Sequence, residues 1–278
     1  MLFTNMDRKK ITAPDRQAKI KRRLLIEGTI GVEALAHDLE VSVATIRRDL
    51  TTLEDTGFVQ RTHGGAMVGK PRGADLAFSL REQTDQVAKR LIARAAIGLI
   101  DKERTLFLND GSTMLAVAHE LSALELQLTV VSCGINVATT VSENPRIQAY
   151  LAGGLVRHRT LGITGSFVNQ MLSEMHADIA FIAPESVCQS GEVTFSYEQD
   201  AIIARKMSKR SKRTIVLATA RKLQDRDRFT AMQADAIDLL ITDCADPKVL
   251  RAFEEFGVEV LVVIRATDEA VQFPKLSA

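Results

Sequence analysis

Residues 41–65, VSVATIRRDLTTLEDTGFVQRTHGG, carry the pattern around which the rest of the chain is arranged. Ser42 is a good N-cap, because its hydroxyl accepts a backbone N–H that a helix start leaves unpaired. Ile46, Leu50 and Leu53 then fall at i, i+4 and i+7 on one apolar face. Thr45, Arg47, Arg48 and Thr51 point away from it. Gly57 stops the helix, and residues 58–62 followed by Gly64-Gly65 read as a short extended segment closed by a turn. A helix with an arginine pair on its outer face and a basic hairpin beyond it suits a DNA major groove and its flanking phosphates.

Working outward, Ile20, Leu24 and Leu25 mark a first helix from residue 15 to Gly28, and residues 32–39 a second, with Leu35, Ala36 and Leu39 inward. The turn at 40–42 is short enough for helix-turn-helix geometry, and a wing follows at 58–68. Residues 15–68 thus read as a winged helix-turn-helix domain. Residues 1–14 are polar, with Pro14 able to open a helix, and read as a flexible arm. Residues 68–75, VGKPRGAD, are rich in Gly, Pro and charge, so 69–84 reads as a linker.

At 278 residues and 46% hydrophobic, the chain can hold a small domain joined to a medium one. The net charge of +1 hides an asymmetry: residues 1–70 hold 12 Lys/Arg against 9 Asp/Glu, and residues 71–278 hold 24 against 26. The basic excess sits where a nucleic-acid contact needs it, but charge alone does not decide the matter. Cys133, Cys188 and Cys244 form no CxxC pair, which predicts thiols in a reducing cytoplasm. No apolar segment approaches bilayer length, so no membrane partner is expected. The absence of tryptophan and 5% aromatic content argue against stacking platforms for single strands. His119 and His158 lack partners at metal-ligand spacing, and neither metal nor cofactor is expected.

After an Ala-rich helix at 87–100, apolar strands and helices alternate: TLFLN (105–109), helix 113–122, LTVVS (128–132), helix 135–142, IQAYL (147–151), helix 166–175, DIAFIA (178–183), helix 198–210, RTIVLA (213–218), DLLIT (238–242), helix 247–256 and VEVLVVI (258–264). Apolar strands separated by helices predict an α/β domain, 85–278, with a mainly parallel sheet covered on both faces. Ligands bind such sheets at the carboxyl ends of the strands. There, Asn109-Asp110-Gly111-Ser112-Thr113 leads from the first strand into a helix, offering an open backbone, hydroxyls and unpaired N–H groups to an anion. Two further Gly-rich turns follow, Gly153-Gly154 with Arg157 beyond, and residues 162–166.

From 15 to 67 the chain resembles the DNA-binding region of the DeoR family of bacterial transcription regulators. The match runs through Val41-Ser42-Val43-Ala44-Thr45-Ile46-Arg47-Arg48-Asp49-Leu50, Leu53 and Arg61-Thr62-His63-Gly64-Gly65-Ala66. The resemblance implies DNA contact by Ser42, Ala44, Thr45, Arg47, Arg48, Arg61, His63 and Gly64. It extends over 87–263, where the family has a sensing domain related in fold to ribose-5-phosphate isomerase that responds to a phosphorylated sugar or its metabolite. The implied effector set is Asn109, Asp110, Gly111, Ser112, Thr113, Gly153, Gly154, Arg157, Glu185, Glu198 and Lys222. Three departures bear on effector identity. Asn109 stands where the family has Asp, Ala183-Pro184-Glu185-Ser186 replaces a Gly-x-x-Gly, and Thr219-Ala220-Arg221-Lys222 replaces Asp-His-Ser-Lys.

Each residue also has a plainer reading. Arg157 and Lys222 suit anion contact or a solvated surface, and Glu185 and Glu198 suit sugar hydroxyls or helix-end charge. Residues 208–213, SKRSKR, read as a solvated helix end. Two functions follow: a regulator of double-stranded operator DNA, acting as a homo-oligomeric repressor of a carbohydrate-catabolic operon and released by a phosphorylated metabolite, or a sugar-phosphate isomerase with an accessory DNA-binding domain. Isomerisation needs a general base near an acidic C–H, and Asp110, Glu185 and Glu198 form no paired constellation, so the non-enzymatic reading is preferred.

Overall fold

The structure is a computed structural model that describes residues 11–27, 29–55, 59–62, 65–68, 78–100, 104–223 and 226–264. The chain divides into two compact units, Met1–Pro71 and Arg72–Ala278.

In the first unit α1 (Ala13–Glu27), α2 (Val32–Asp38) and α3 (Val43–Asp55) pack with strands β1 (Thr29–Gly31), β2 (Val59–Thr62) and β3 (Gly65–Val68). The strands form one antiparallel sheet in the order β1-β3-β2. The Thr12 hydroxyl accepts the Asp15 N–H at 3.3 Å, so α1 begins before residue 15 and takes in Pro14. Part of the segment read as an arm is therefore helical, while residues 1–10 lie outside the described residues. Strand β1 was not legible in the sequence, being three residues long, yet it explains Gly65. A Cβ at Gly65 would lie 2.6 Å from the Ile30 carbonyl oxygen, so β3 can approach β1 only with glycine there. Gly57, Phe58, the wing tip His63-Gly64 and residues 69–77 lie outside the described residues.

Ile46, Leu50 and Leu53 of α3 are buried, and Ile20, Leu24, Leu35 and Ala36 meet them from the other helices. Leu39, expected inward, is only half-buried, and Val32 takes the inner place at the start of α2. Asp49 is buried too, and its carboxylate takes Arg16 Nε at 2.5 Å, Arg16 Nη2 at 3.0 Å and Gln17 Nε2 at 3.2 Å. This forked pair ties α1 to α3, and the carboxylate beside it holds the Arg16 guanidinium above its ordinary pKa.

In chain order the second unit begins α4 (Phe78–Gln83), α5 (Gln86–Ile97), β4 (Thr105–Leu108), α6 (Ser112–Ser122), β5 (Leu128–Ser132), α7 (Ile135–Ser142), β6 (Ile147–Leu151), β7 (Leu155–Val156), β8 (Ile163–Thr164) and α8 (Ser166–Glu174). It continues β9 (Ala177–Ile182), β10 (Ser186–Val187), β11 (Val193–Phe195), α9 (Glu198–Lys209), β12 (Ser211–Leu217), β13 (Phe229–Met232), β14 (Leu239–Thr242), α10 (Pro247–Glu255) and β15 (Glu259–Val262). The expected strands form a seven-stranded sheet, β15-β14-β12-β9-β4-β5-β6, parallel at every pairing. Alternate residues serve two cores, as a doubly covered sheet requires. Leu106 and Leu108 pack with α5, α6 and α7, while Phe107 faces the side of α8, α9 and α10. The segment read as linker contains a helix, α4, and SKRSKR ends α9 and opens β12 instead of being wholly a helix end.

The strand order reverses between β4 and β9, so the loops leaving these two strands diverge and open a crevice at their carboxyl ends. The account of α3 carries an expectation for Asp49. Asp49→Ala, which leaves the Arg16 guanidinium unpaired in a half-closed site, is expected to destabilise the first unit by about 3 kcal/mol in denaturant unfolding. Unchanged stability would show that the fork does not hold α1 to α3.

Candidate functional site

On the first unit, the Ser42 hydroxyl accepts the Thr45 N–H at 3.1 Å and so caps α3. Ala44, Arg47 and Arg48 are exposed on the face opposite Ile46, Leu50 and Leu53, with Thr45 half-buried beside them. Arg61 on the wing strand β2 bends back: its Nη2 donates to the Arg47 carbonyl at 2.8 Å, and its Nε lies 3.7 Å from Glu54. Arg61 thus braces β2 against α3. His63 and Gly64 lie outside the described residues.

On the second unit, the β4–β9 crevice gathers buried charge. Asn109 frames it, its amide donating to the Ala183 carbonyl at 3.1 Å and accepting the Ala183 N–H at 2.8 Å. The side chain laces the two diverging strands together. Asp110 sits in a notch that requires glycine: a Cβ at Gly162 would fall 2.4 Å from Asp110 Oδ2. Gly111 has φ of +116° and open space where a Cβ would stand, and it leads into the first turn of α6, where Ser112 is half-buried and Thr113 buried.

Arg157 is delivered by a tight turn, its N–H bonded to the Gly162 carbonyl at 2.9 Å, which is stitched to the end of β5 by the Ile163 N–H on the Cys133 carbonyl at 2.7 Å. Its Nη2 pairs with Asp200 and lies 3.8 Å from Asp110, and its guanidinium carbon stands 5.0 Å from the Tyr197 ring centroid. Lys222, on a 3₁₀ turn after β12, donates to the Pro184 carbonyl at 2.5 Å. The Glu185 side chain is 10% exposed and faces Arg81 of α4 at 3.9 Å.

The structure therefore brings together Asp110, Gly111, Thr113, Arg157, Glu185 and Lys222. Glu198 is exposed at the first position of α9, and the acid that turns inward is Asp200, two residues on. Gly154 packs its backbone against Thr164 and Gly153 faces open space, at the entry to the β7–β8 hairpin. Arg81, Asp200 and Asn136 were not singled out from the sequence, whereas Tyr197 stands beside Glu198 among the residues that carry the family resemblance. The inward placement of the first three depends on tertiary packing, and nothing in their local pattern signals it.

Several polar atoms here are buried without a hydrogen-bond partner: Nε and Nη1 of Arg157, Nε and Nη2 of Arg81, Oε2 of Glu185, the Thr113 hydroxyl and both amide atoms of Asn136. Each such group costs about 1–3 kcal/mol, and their concentration at a switch-point crevice points to a ligand. Among the described residues, no group of three or more His, Cys, Asp or Glu is placed to hold a metal ion, and no helix is long and apolar enough to cross a membrane. The three cysteines are buried free thiols.

Comparison with known proteins agrees with both halves of this picture. Residues 16–72 match the model of the DeoR-like helix-turn-helix domain, and residues 84–244 that of the DeoR C terminal sensor domain. The chain belongs to the DeoR family. The transcriptional repressor GlcR of Bacillus subtilis is 33% identical over 84% of this chain and 90% of its own length. The transcriptional regulator GolR of Listeria innocua is 30% identical over 89% and 98%. Among solved structures, ribose 5-phosphate isomerase A of Methanocaldococcus jannaschii aligns with a TM-score of 0.39 and 16% identity, over 50% of this chain and 55% of that one. The protein is a DNA-binding transcriptional regulator, with a winged helix-turn-helix and an α/β sensing domain.

Burial sets the protonation of the regulator's crevice. Glu185 is pushed up to about 8, first by desolvation and then by Asp200, while Lys222 is pulled down to about 8 by desolvation against the opposing pull of Glu185. Asp200 rises to about 7 through desolvation and Asp110, in spite of Arg157. A carboxyl whose folded pKa is raised lowers stability as pH climbs from its ordinary range to that raised value, because the unfolded chain gives up the proton first. Glu185→Gln does not titrate. The melting temperature of Glu185→Gln minus that of the wild type is therefore expected to grow as pH rises from 5 to 8; a constant difference would place Glu185 in a wetter site.

Proposed function

We propose that this regulator represses a carbohydrate-catabolic operon as a homo-oligomer, and that a phosphorylated sugar or related metabolite bound in the β4–β9 crevice releases it from the operator. The observation that carries this reading is the Arg157 guanidinium, paired through one nitrogen with Asp200 while its other two nitrogens are buried without partners beside the open Gly111 loop. The Nε–H and an Nη1–H point to different sides of the guanidinium, so each offers one hydrogen bond to an anion, and the first turn of α6 offers backbone N–H groups to the same guest. Desolvation and the neighbouring acids favour the neutral form of Glu185, which shifts the balance of Arg81, Arg157 and Lys222 against the carboxylates towards an anionic guest. The Glu185 carboxyl and the Asn136 amide supply partners for sugar hydroxyls.

Relatives support the carbohydrate assignment. The lactose phosphotransferase system repressor of Streptococcus mutans is 27% identical over 87% of this chain, and the putative aga operon transcriptional repressor of Escherichia coli O157:H7 27% over 90%. An isomerase activity has less support, since relatives that match over 90% and 98% of their own length are named as regulators. Release requires the metabolite to bind the DNA-incompetent arrangement more tightly than the competent one, since equal affinity shifts nothing. Paired reading heads on repeated half-sites multiply affinity, which is the ground for a homo-oligomer.

Two expectations test the halves separately. On a duplex recovered by in vitro selection, Arg47→Ala or Arg48→Ala is expected to weaken binding by about 1–3 kcal/mol if the side chain reads a base edge. Unchanged affinity and salt dependence in both would remove α3 from the groove. Gly111→Val places a branched side chain at a positive φ in the mouth of the crevice. It is expected to abolish release of that duplex by ribose 5-phosphate, glucose 6-phosphate or fructose 6-phosphate while operator affinity stays within twofold. A normal response in Gly111→Val to a sugar phosphate that releases the wild type would refute the pocket.

A further inference from the structure

We infer that Arg81, on the helix that joins the two family-matched regions, is itself an effector-binding residue and supplies a second guanidinium to the anion held at Arg157. The inference rests on the crevice being the effector site. Residue 81 falls between the matched stretches 16–72 and 84–244, so neither match covers it.

Three observations meet at this side chain. First, its ion pair is incomplete: Nη1 is 3.9 Å from Glu185 Oε1, a long contact, while Nε and Nη2 are buried with no partner. Those two nitrogens form the flat edge with which arginine grips two oxygens of one phosphate or carboxylate. Second, Arg81 and Arg157 share their surroundings, for each acts electrostatically on both Glu185 and Asp200. Third, α4 is built to hold this position. Its first N–H donates to the Arg159 carbonyl at 3.0 Å, on the same turn that presents Arg157. The buried Lys89 ammonium holds its far end through the Arg81 carbonyl and the Thr84 carbonyl, the latter at 2.6 Å. The Phe78 ring lies under the guanidinium, 5.9 Å from centroid to carbon, and α4 packs on α6, whose first turn carries Ser112 and Thr113.

A helix of six residues with so few apolar side chains has little reason of its own to be anchored at both ends. A ligand-binding arginine supplies one. In the chain, α4 follows β3 of the wing after residues 69–77, so an anion gripped by Arg81 holds the segment that leads to the DNA-reading unit.

The test uses the full chain and calorimetric titration with inorganic phosphate, ribose 5-phosphate and glucose 6-phosphate. Wild type, Arg81→Met, Arg81→Lys and Arg157→Met are compared, with thermal melts as the control for folding. Arg81→Met is expected to weaken the tightest of these ligands at least tenfold, and Arg81→Lys, which keeps the charge and loses the fork, at least threefold. If Arg157→Met loses binding while both Arg81 variants bind as the wild type does, the inference fails and the effector site stands. If the wild type binds none of the three, both fail. Should Arg81→Met lose its melting transition, Arg81→Lys decides, with unchanged affinity overturning the role.

Discussion

A parallel sheet whose strand order reverses must leave a crevice at the reversal, and this chain lines that crevice with charge. Between β4 and β9 the loops part, the Asn109 amide laces them together through Ala183, and the space beyond holds Arg81, Asp110, Arg157, Glu185, Asp200 and Lys222. Burying so many ionisable groups is unfavourable unless each is paired, and here several are paired through only part of their hydrogen-bonding capacity. A fold selected for stability alone would gain by replacing them with apolar side chains. Their presence is understandable if a polar ligand completes the set.

The DNA-reading unit solves a different problem with similar means. Its reading helix must present Arg47 and Arg48 to solvent without losing its place, and three apolar residues, a serine cap and the Arg16–Asp49 fork fix it from beneath. Asp49 belongs to the same short motif as the two outward arginines, yet its task is internal. The motif therefore combines two residues that face solvent with one that fixes the helix carrying them.

Much of this was legible in the sequence, for physical reasons that also mark the limits. The strands of the large sheet are continuous apolar runs because both faces are covered, and α3 shows its period because only one face is. The short strands β1, β10, β11 and β13 offer two to four residues each, too few for any period to emerge. Within the crevice, Gly111 and Arg157 could be found because glycine and an arginine beyond a Gly-rich turn have local meaning. Asp200 could not, since Glu198 and Asp200 are equivalent acids at a helix start until tertiary packing turns one outward and the other onto Arg157. Arg81 was hidden in a polar stretch that reads as linker, and Asn109 entered the effector set through the family resemblance, while its amide bonds run to the residue that follows the neighbouring strand.

The most direct measurement is the side-chain Nε–H resonance of Arg157 in the full chain, assigned by its disappearance in Arg157→Lys and followed during titration with the sugar phosphate that releases operator DNA. Engagement of the unpartnered Nε–H by the ligand predicts a saturable shift of this resonance with the same midpoint as release. Saturable release with the Arg157 resonance unmoved would contradict it and place the effector elsewhere.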